Sequence, residues 1–236
     1  MRKTILLDLD GTLLPMDLSY FTGRYFAALG AFMARRGYAA EPLLRAVGTG
    51  LRAMVKNNGA ATNEAVFWHA FHGELGAAGE GAEAAFADYY GGEFERLRTL
   101  CGFREGTGET VRAWRARGAR LVLASNPVFP RTAQLARLRW AGMDAADFDF
   151  ISSYENASFS KPNPAYFTEL AGKIGAAPAD CLMLGNDVAE DIPARRAGMD
   201  VFLVTEWLLN RDGAPLDAYP HGDFAAASAW VHAALQ

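Results

Sequence analysis

The chain has 236 residues, 51% of them hydrophobic and 21% charged, with a formal net charge of −4. That balance suits a soluble globular chain of one large domain or a domain with a smaller companion, and it disfavours a general nucleic-acid binder, which carries a basic surplus. Two cysteines, Cys101 and Cys181, are too few for a disulfide framework and read as small core residues of a reducing compartment.

The first predicted element is a strand, TILLDLD (4–10). Its basic start is cut by Asp8 before a signal-peptide length is reached, and no later run approaches the roughly 18 apolar residues of a membrane span. The expectation is therefore a cytoplasmic protein with no membrane partner and no nucleic-acid partner. Side chains alternate faces along a strand, so Asp8 and Asp10 point the same way, two like charges beside an apolar core.

From about 16 to 104 the pattern is helical and rich in Ala, Gly and aromatics, as in LSYFTGRYFAALGAFMARRG and NEAVFWHAFHGEL. Tyr20, Phe21, Tyr25, Phe26 and Phe32 recur at helical spacing and are expected to form a local core. Roughly ninety residues is too long for an ordinary crossover, so this stretch is expected to be an inserted helical domain hinged near 15 and 105. His69 and His72 share a helix face without a third ligand nearby and read as packing or surface residues. Arg52, Lys56, Asn57 and Asn58 are within reach of a substrate in principle, with a solvated face as the default.

After 105 the rhythm changes to strand and helix in alternation. Apolar runs RLVLASN (120–126), FDFISSYE (148–155), CLMLGND (181–187) and VFLVTE (201–206) read as buried strands. Between them, helical patterns close at Gly118 and Gly142, and NPAYFTELAGKIG carries a Pro just inside its start and a Gly at its end. FAAASAWVHAALQ reads as a closing helix, and Asn210 as a turn residue. The whole is α/β: a doubly wound, Rossmann-like parallel sheet formed by 1–15 and 105–236, with 16–104 as an all-helical insertion.

Ligands of such sheets bind beyond the carboxyl ends of the strands. Polar residues gather there: Asp8 and Asp10; Ser125 and Asn126; Lys161 in SFSKPNP; and Asn186, Asp187 and Asp191 in GNDVAED. Each alone has a plainer reading as a turn, a solvated lysine or a helix cap. Together they put several carboxylates, a hydroxyl and a lysine in one crevice. Carboxylates so placed call for a cation, and oxygen donors with open positions suit Mg²⁺ and a substrate phosphate. A calcium EF-hand fails, because Gly11 comes too early and the twelfth loop position, Ser19, is not Glu.

The ordered segments DLDGTLL, ASN, KPNP and GNDVAEDI resemble the four motifs of the haloacid dehalogenase superfamily, and the helical insertion resembles that family's C1-type cap. The resemblance implies a Mg²⁺-dependent phosphatase of a small phosphorylated metabolite. Asp8 would be the nucleophile, forming an aspartyl-phosphate, and Asp10 the general acid and base. Lys161 would orient Asp8. Phosphate contacts would come from Gly11, Thr12, Ser125, Asn126 and Lys161. Metal contacts would come from Asp8, Asp10 and, by preference for a charged ligand, Asp187, with Asn186 and Asp191 as alternatives or supporting groups. A phosphomutase of the β-phosphoglucomutase type is the alternative, with a haloacid dehalogenase or a non-catalytic binding protein behind it. Substrate identity, cap specificity residues and oligomeric state are not legible from these motifs.

Overall fold

Strand β1 (Thr4–Leu7) has no polar face: Ile5 and Leu7 point into one apolar layer and Leu6 into another. A strand buried on both sides needs helices on both sides, and this requirement lays out the core. The computed structural model describes residues 3–236; Met1 and Arg2, placed by the sequence at the start of the core, lie outside the described residues.

Six parallel strands run in the order β3-β2-β1-β4-β5-β6, with β2 at Arg120–Leu123, β3 at Phe150–Ile151, β4 at Cys181–Gly185, β5 at Asp200–Val204 and β6 at His221–Gly222. The cap region holds helices α1 (Leu18–Arg35), α2 (Ala40–Val55), α3 (Asn63–Leu75) and α4 (Ala82–Gly91). The core adds α5 (Thr107–Ala116), α6 (Arg131–Trp140), α7 (Pro164–Ile174), the single turn α8 (Val188–Asp191) and α9 (Phe224–Ala234). Apolar residues of α5, α6 and α9 cover the Leu7 face, and Tyr166, Phe167, Leu170 and Ala171 of α7 cover the Leu6 face. Gly175 ends α7 with φ of 62°, as its position after the helical pattern indicates. Among the described residues no helix is long and apolar enough to cross a membrane.

Register places the strand tips side by side. Leu7 pairs with Leu123 and with Leu184, so Asp8 leaves the sheet level with Ala124 and Gly185. The strands are shorter than their apolar runs. In the third, Asn156 accepts from Ser153 N and donates to Ile151 O, which turns the chain out of the sheet after two residues. The sixth strand has no apolar run to announce it; it borrows its pairing from β5.

The helical segment leaves and rejoins the core at one place, where Gly102 N donates to Pro15 O at 2.7 Å. Phe21, Tyr25 and Phe32 are buried in the apolar cluster shared by cap and core, but Tyr20, expected beside them, is exposed. The cap is fastened over the sheet through Asn63, which is fully buried at the start of α3. Its Nδ2 lies 3.1 Å from each of Pro127 O, Phe159 O and Ser160 Oγ, and its Oδ1 accepts from Asn57 Nδ2 at 2.9 Å. Removing a group that serves several buried partners leaves them unsatisfied. Asn63→Ala is expected to cost about 3 kcal/mol in denaturant unfolding; a loss below about 1 kcal/mol would show that water replaces it readily.

Candidate active site

Asp8 and Asp10 lie just past the end of β1 rather than within it. Asp8 N still donates to Leu184 O, and the chain then turns at Gly11, where φ is +82°. A side chain there would also collide with Asn186, whose Nδ2 would lie 2.1 Å from the added Cβ. Glycine is thus required twice over, for the left-handed turn and for the close approach of the fourth strand tip.

Lys161 is a buried clamp. Its Nζ donates to Asp8 Oδ1 at 2.9 Å and to Asp191 Oδ1 at 2.7 Å. Burial opposes a charged ammonium, but Asp191 and Asp8 outweigh it and hold the lysine pKa above its ordinary value. Burial raises the pKa of Asp8, an effect that Lys161 offsets in part and Asp10 reinforces. Asp191 rises to about 6, again through burial against the pull of Lys161. Its second oxygen accepts from Asp187 N at 3.0 Å, and it fits only because Gly185 has no side chain: an added Cβ would sit 2.0 Å from Asp191 Oδ2. Asp191 therefore serves the lysine and the backbone, with one partner on each oxygen.

The fourth motif brings both Asn186 and Asp187 to the cavity. Asp187 Oδ1 accepts from Ala189 N and Glu190 N, capping α8, and its Oδ2 pairs with Arg211 at 2.7 Å. Both of its oxygens thus have protein partners, and its side chain also lies on the cavity beside that of Asn186. Asn186 is the residue turned toward Asp8. Trp207 O accepts from its Nδ2, which aims Oδ1 at the Thr12 hydroxyl, 3.1 Å away; that hydroxyl also lies 3.2 Å from Asp8 Oδ2.

A cavity of about 260 Å³ opens between these tips and the cap, with Asp8, Asp10, Ser125, Asn126, Asn186, Asp187, Glu190 and Asp191 on its core side. Gly11, Thr12 and Lys161, expected to touch phosphate, stand behind that wall. The backbone N–H groups of Gly11 and Thr12 are spent on Leu14 O and Leu9 O, and the Lys161 ammonium on two carboxylates. Asn126 donates to Glu190 at 3.1 Å, and Glu190, half-buried among other carboxylates, is pushed up to about 8 by burial. His69, Arg52, Lys56 and Asn58 are exposed, His72 pairs with Glu83, and Asn57 is tied to Asn63. None of these lines the cavity.

One site residue escapes the sequence reading. Arg137 of α6 is fully buried, and its Nη1 donates to Asp10 Oδ2. Gln134 Oε1 accepts from its Nη2 at 2.6 Å, and its guanidinium lies 4.3 Å from the centre of the Phe129 ring. The signal was present: Arg137 is in helical phase with Ala133 and Trp140, on the buried stripe of its helix. The other oxygen, Asp10 Oδ1, is buried with no hydrogen-bond partner among the described residues.

These oxygens can accept a cation. Thr12 has one hydroxyl hydrogen for Asp8 Oδ2 and Asn186 Oδ1, so one of them always lacks a donor. Among the described residues no three carboxylate, imidazole or thiolate groups converge into a cage. A donor set of Asp8, the Asn186 amide oxygen and a backbone carbonyl, completed by water and substrate, suits the sparse protein coordination of Mg²⁺.

A sequence model of the haloacid dehalogenase-like hydrolases matches residues 2–198. The chain is similar to a phosphoglycolate phosphatase of Thiobacillus denitrificans, 27% identical over 210 residues that span 86% of this chain and 82% of that one. Its fold is similar to that of a 2-haloacid dehalogenase of Pseudomonas syringae (TM-score 0.63, 20% identity, 99% of each chain). It is also similar to that of a haloacid dehalogenase-type phosphatase of Thermococcus onnurineus (TM-score 0.56, 18% identity, 96% of this chain and 95% of that one). At such identities the solved structures speak to fold alone.

Proposed function

The chain belongs to the haloacid dehalogenase-like hydrolases, and we propose that it is a phosphatase that removes phosphate from a small organic ester by way of a phosphoryl group carried on Asp8. One observation carries this reading. Two carboxylates stand at one end of the cavity between core and helical segment, and a buried cation fixes one oxygen of each: Lys161 holds Asp8 Oδ1, and Arg137 holds Asp10 Oδ2. The remaining oxygens, Asp8 Oδ2 and Asp10 Oδ1, are the ones available for chemistry.

In the first step Asp8 Oδ2 attacks phosphorus as the ester P–O bond breaks, and Asp10 gives its proton to the departing oxygen. In the second, Asp10 takes a proton from water, the water oxygen bonds to phosphorus, and the Asp8–phosphoryl bond breaks with its electron pair returning to the carboxylate. Ser125 would offer its hydroxyl to a phosphoryl oxygen, and Asn126 would do so with its amide on release from Glu190. A bound Mg²⁺, held by Asp8, the Asn186 amide and the Asp10 carbonyl, would neutralise charge on the phosphoryl group. The cap excludes water from the first step.

Steady phosphate release from an aryl phosphate with Mg²⁺, stopped by a chelator and restored by added metal, is the expected result. Interconversion of sugar phosphates without phosphate release would overturn it in favour of a phosphomutase. The metal assignment has its own test. Asn186→Ala is expected to raise the Mg²⁺ concentration for half-maximal activity by at least about 10-fold, and Asp187→Ala by much less. A larger effect at Asp187 would reverse the assignment.

A further inference from the structure

Toward the cap, the cavity changes character. Its far wall is built by Phe21, Tyr25 and Phe26 of α1, Val47 and Leu51 of α2, Phe67 and Trp68 of α3, and Phe86 and Tyr90 of α4. Trp68 and Phe86 meet edge to face with ring centres 5.4 Å apart. The polar groups on this side are few: the Thr22 hydroxyl of α1, the Tyr154 hydroxyl, and the Tyr25–Tyr90 pair. Tyr25 and Tyr90 bond to each other through their hydroxyls at 2.6 Å, leaving a single hydroxyl hydrogen between them to offer. Among the described residues, Arg137 is the sole cation lining the cavity, and Asp10, Gln134 and Phe129 already occupy it. The opposite wall presents Asp8, Asp10, Asp187, Glu190 and Asp191.

Such a chamber suits one kind of leaving group. An anionic tail would find no free cation and several carboxylates, and burying it unpaired is costly. A polyhydroxylated tail would lose its water to a wall whose hydroxyls are few, those of Thr22, Tyr154 and the Tyr25–Tyr90 pair. A flat apolar ring gains burial and edge-to-face contacts instead. Size agrees: an apolar cavity of roughly 150 Å³ holds a benzene ring, and about 260 Å³ leaves room for a phosphoryl group beside it.

We infer that the substrate is a phosphate monoester of an uncharged aromatic or alicyclic alcohol about one ring in size, with Trp68, Phe86 and Tyr90 setting the preference. This rests on the phosphatase reading above for the phosphoryl end, and it sets the chain apart from its Thiobacillus denitrificans relative named for phosphoglycolate, whose leaving group carries a carboxylate.

Calorimetric titration of the intact chain with Mg²⁺ and non-hydrolysable phosphonates tests the chamber without turnover. Phenylphosphonate is expected to bind at least about 30-fold more tightly than phosphonoacetate. Phe86→Ala should weaken phenylphosphonate about 10-fold while leaving inorganic phosphate unchanged. Should that variant not fold, Thr22→Lys, at a half-exposed position on the cavity lining, should strengthen phosphonoacetate several-fold. Phosphonoacetate binding as tightly as phenylphosphonate, or an unchanged phenylphosphonate affinity in Phe86→Ala, would overturn the inference. The two readings fail separately. Tight phenylphosphonate binding without hydrolysis of phenyl phosphate sinks the phosphatase. Equal kcat/KM for phenyl phosphate and phosphoglycolate sinks the chamber's selectivity alone.

Discussion

Asp8→Asn should lower phosphate release by at least about 10⁴-fold with the fold intact. The amide keeps the shape of the carboxylate and can still face Thr12, but it presents no anionic oxygen to phosphorus. Lys161 retains Asp191, 2.7 Å away, so the clamp keeps one partner. Stability has a definite sign. Burial raises the folded pKa of Asp8, so the native state binds a proton more readily than the unfolded chain. With divalent cations removed, that group favours folding at low pH, and its contribution falls as pH rises from the ordinary carboxylate range to the raised value. Replacing it with a neutral amide removes this slope. The variant should therefore melt at or above the parent temperature at neutral pH and show a flatter dependence on pH. Thermal melts across pH, run beside single-turnover phosphate release, check both halves. Turnover near the parent rate would rule out a phosphoryl group on Asp8.

Much of this molecule was legible because its local rules agree with one another. Buried strands announced themselves as unbroken apolar runs, and Gly118, Gly142 and Gly175 all take positive φ where the helical patterns stop. The polar strand tips converge because parallel register leaves them no alternative. What stayed hidden depends on long-range geometry. An arginine in a helix is usually solvated, yet Arg137 lies on the buried stripe and reaches across 127 residues to Asp10. In the sequence Asn63 is one polar residue before an apolar run; in the fold it serves acceptors from two core loops. At the fourth motif, charge favoured Asp187. The contacts favour Asn186 in the proposed metal site, because the cap of α8 and Arg211 already engage both Asp187 oxygens. The sixth strand is two residues long and carries no pattern of its own.

Lys161→Met carries the second large effect, and it separates positioning from mere charge balance. The lysine side chain has no exposed surface and touches two carboxylates, so its loss leaves Asp8 and Asp191 buried and uncompensated. Breaking a buried ion pair from one side costs about 3–5 kcal/mol, and turnover should fall about 10³-fold because nothing then holds Asp8 Oδ1. Arginine should not rescue it, since a planar guanidinium needs a wider slot than a point ammonium. The decisive variant removes the second carboxylate as well. In Lys161→Met with Asp191→Asn the buried charge is halved, and most of the lost stability should return while turnover stays low. Denaturant melts and phosphate release on the same samples read the two effects independently. If turnover returned along with stability, the lysine would act only by offsetting Asp191. If it stays low, Lys161 acts on Asp8 itself, holding one oxygen so that the other meets phosphorus.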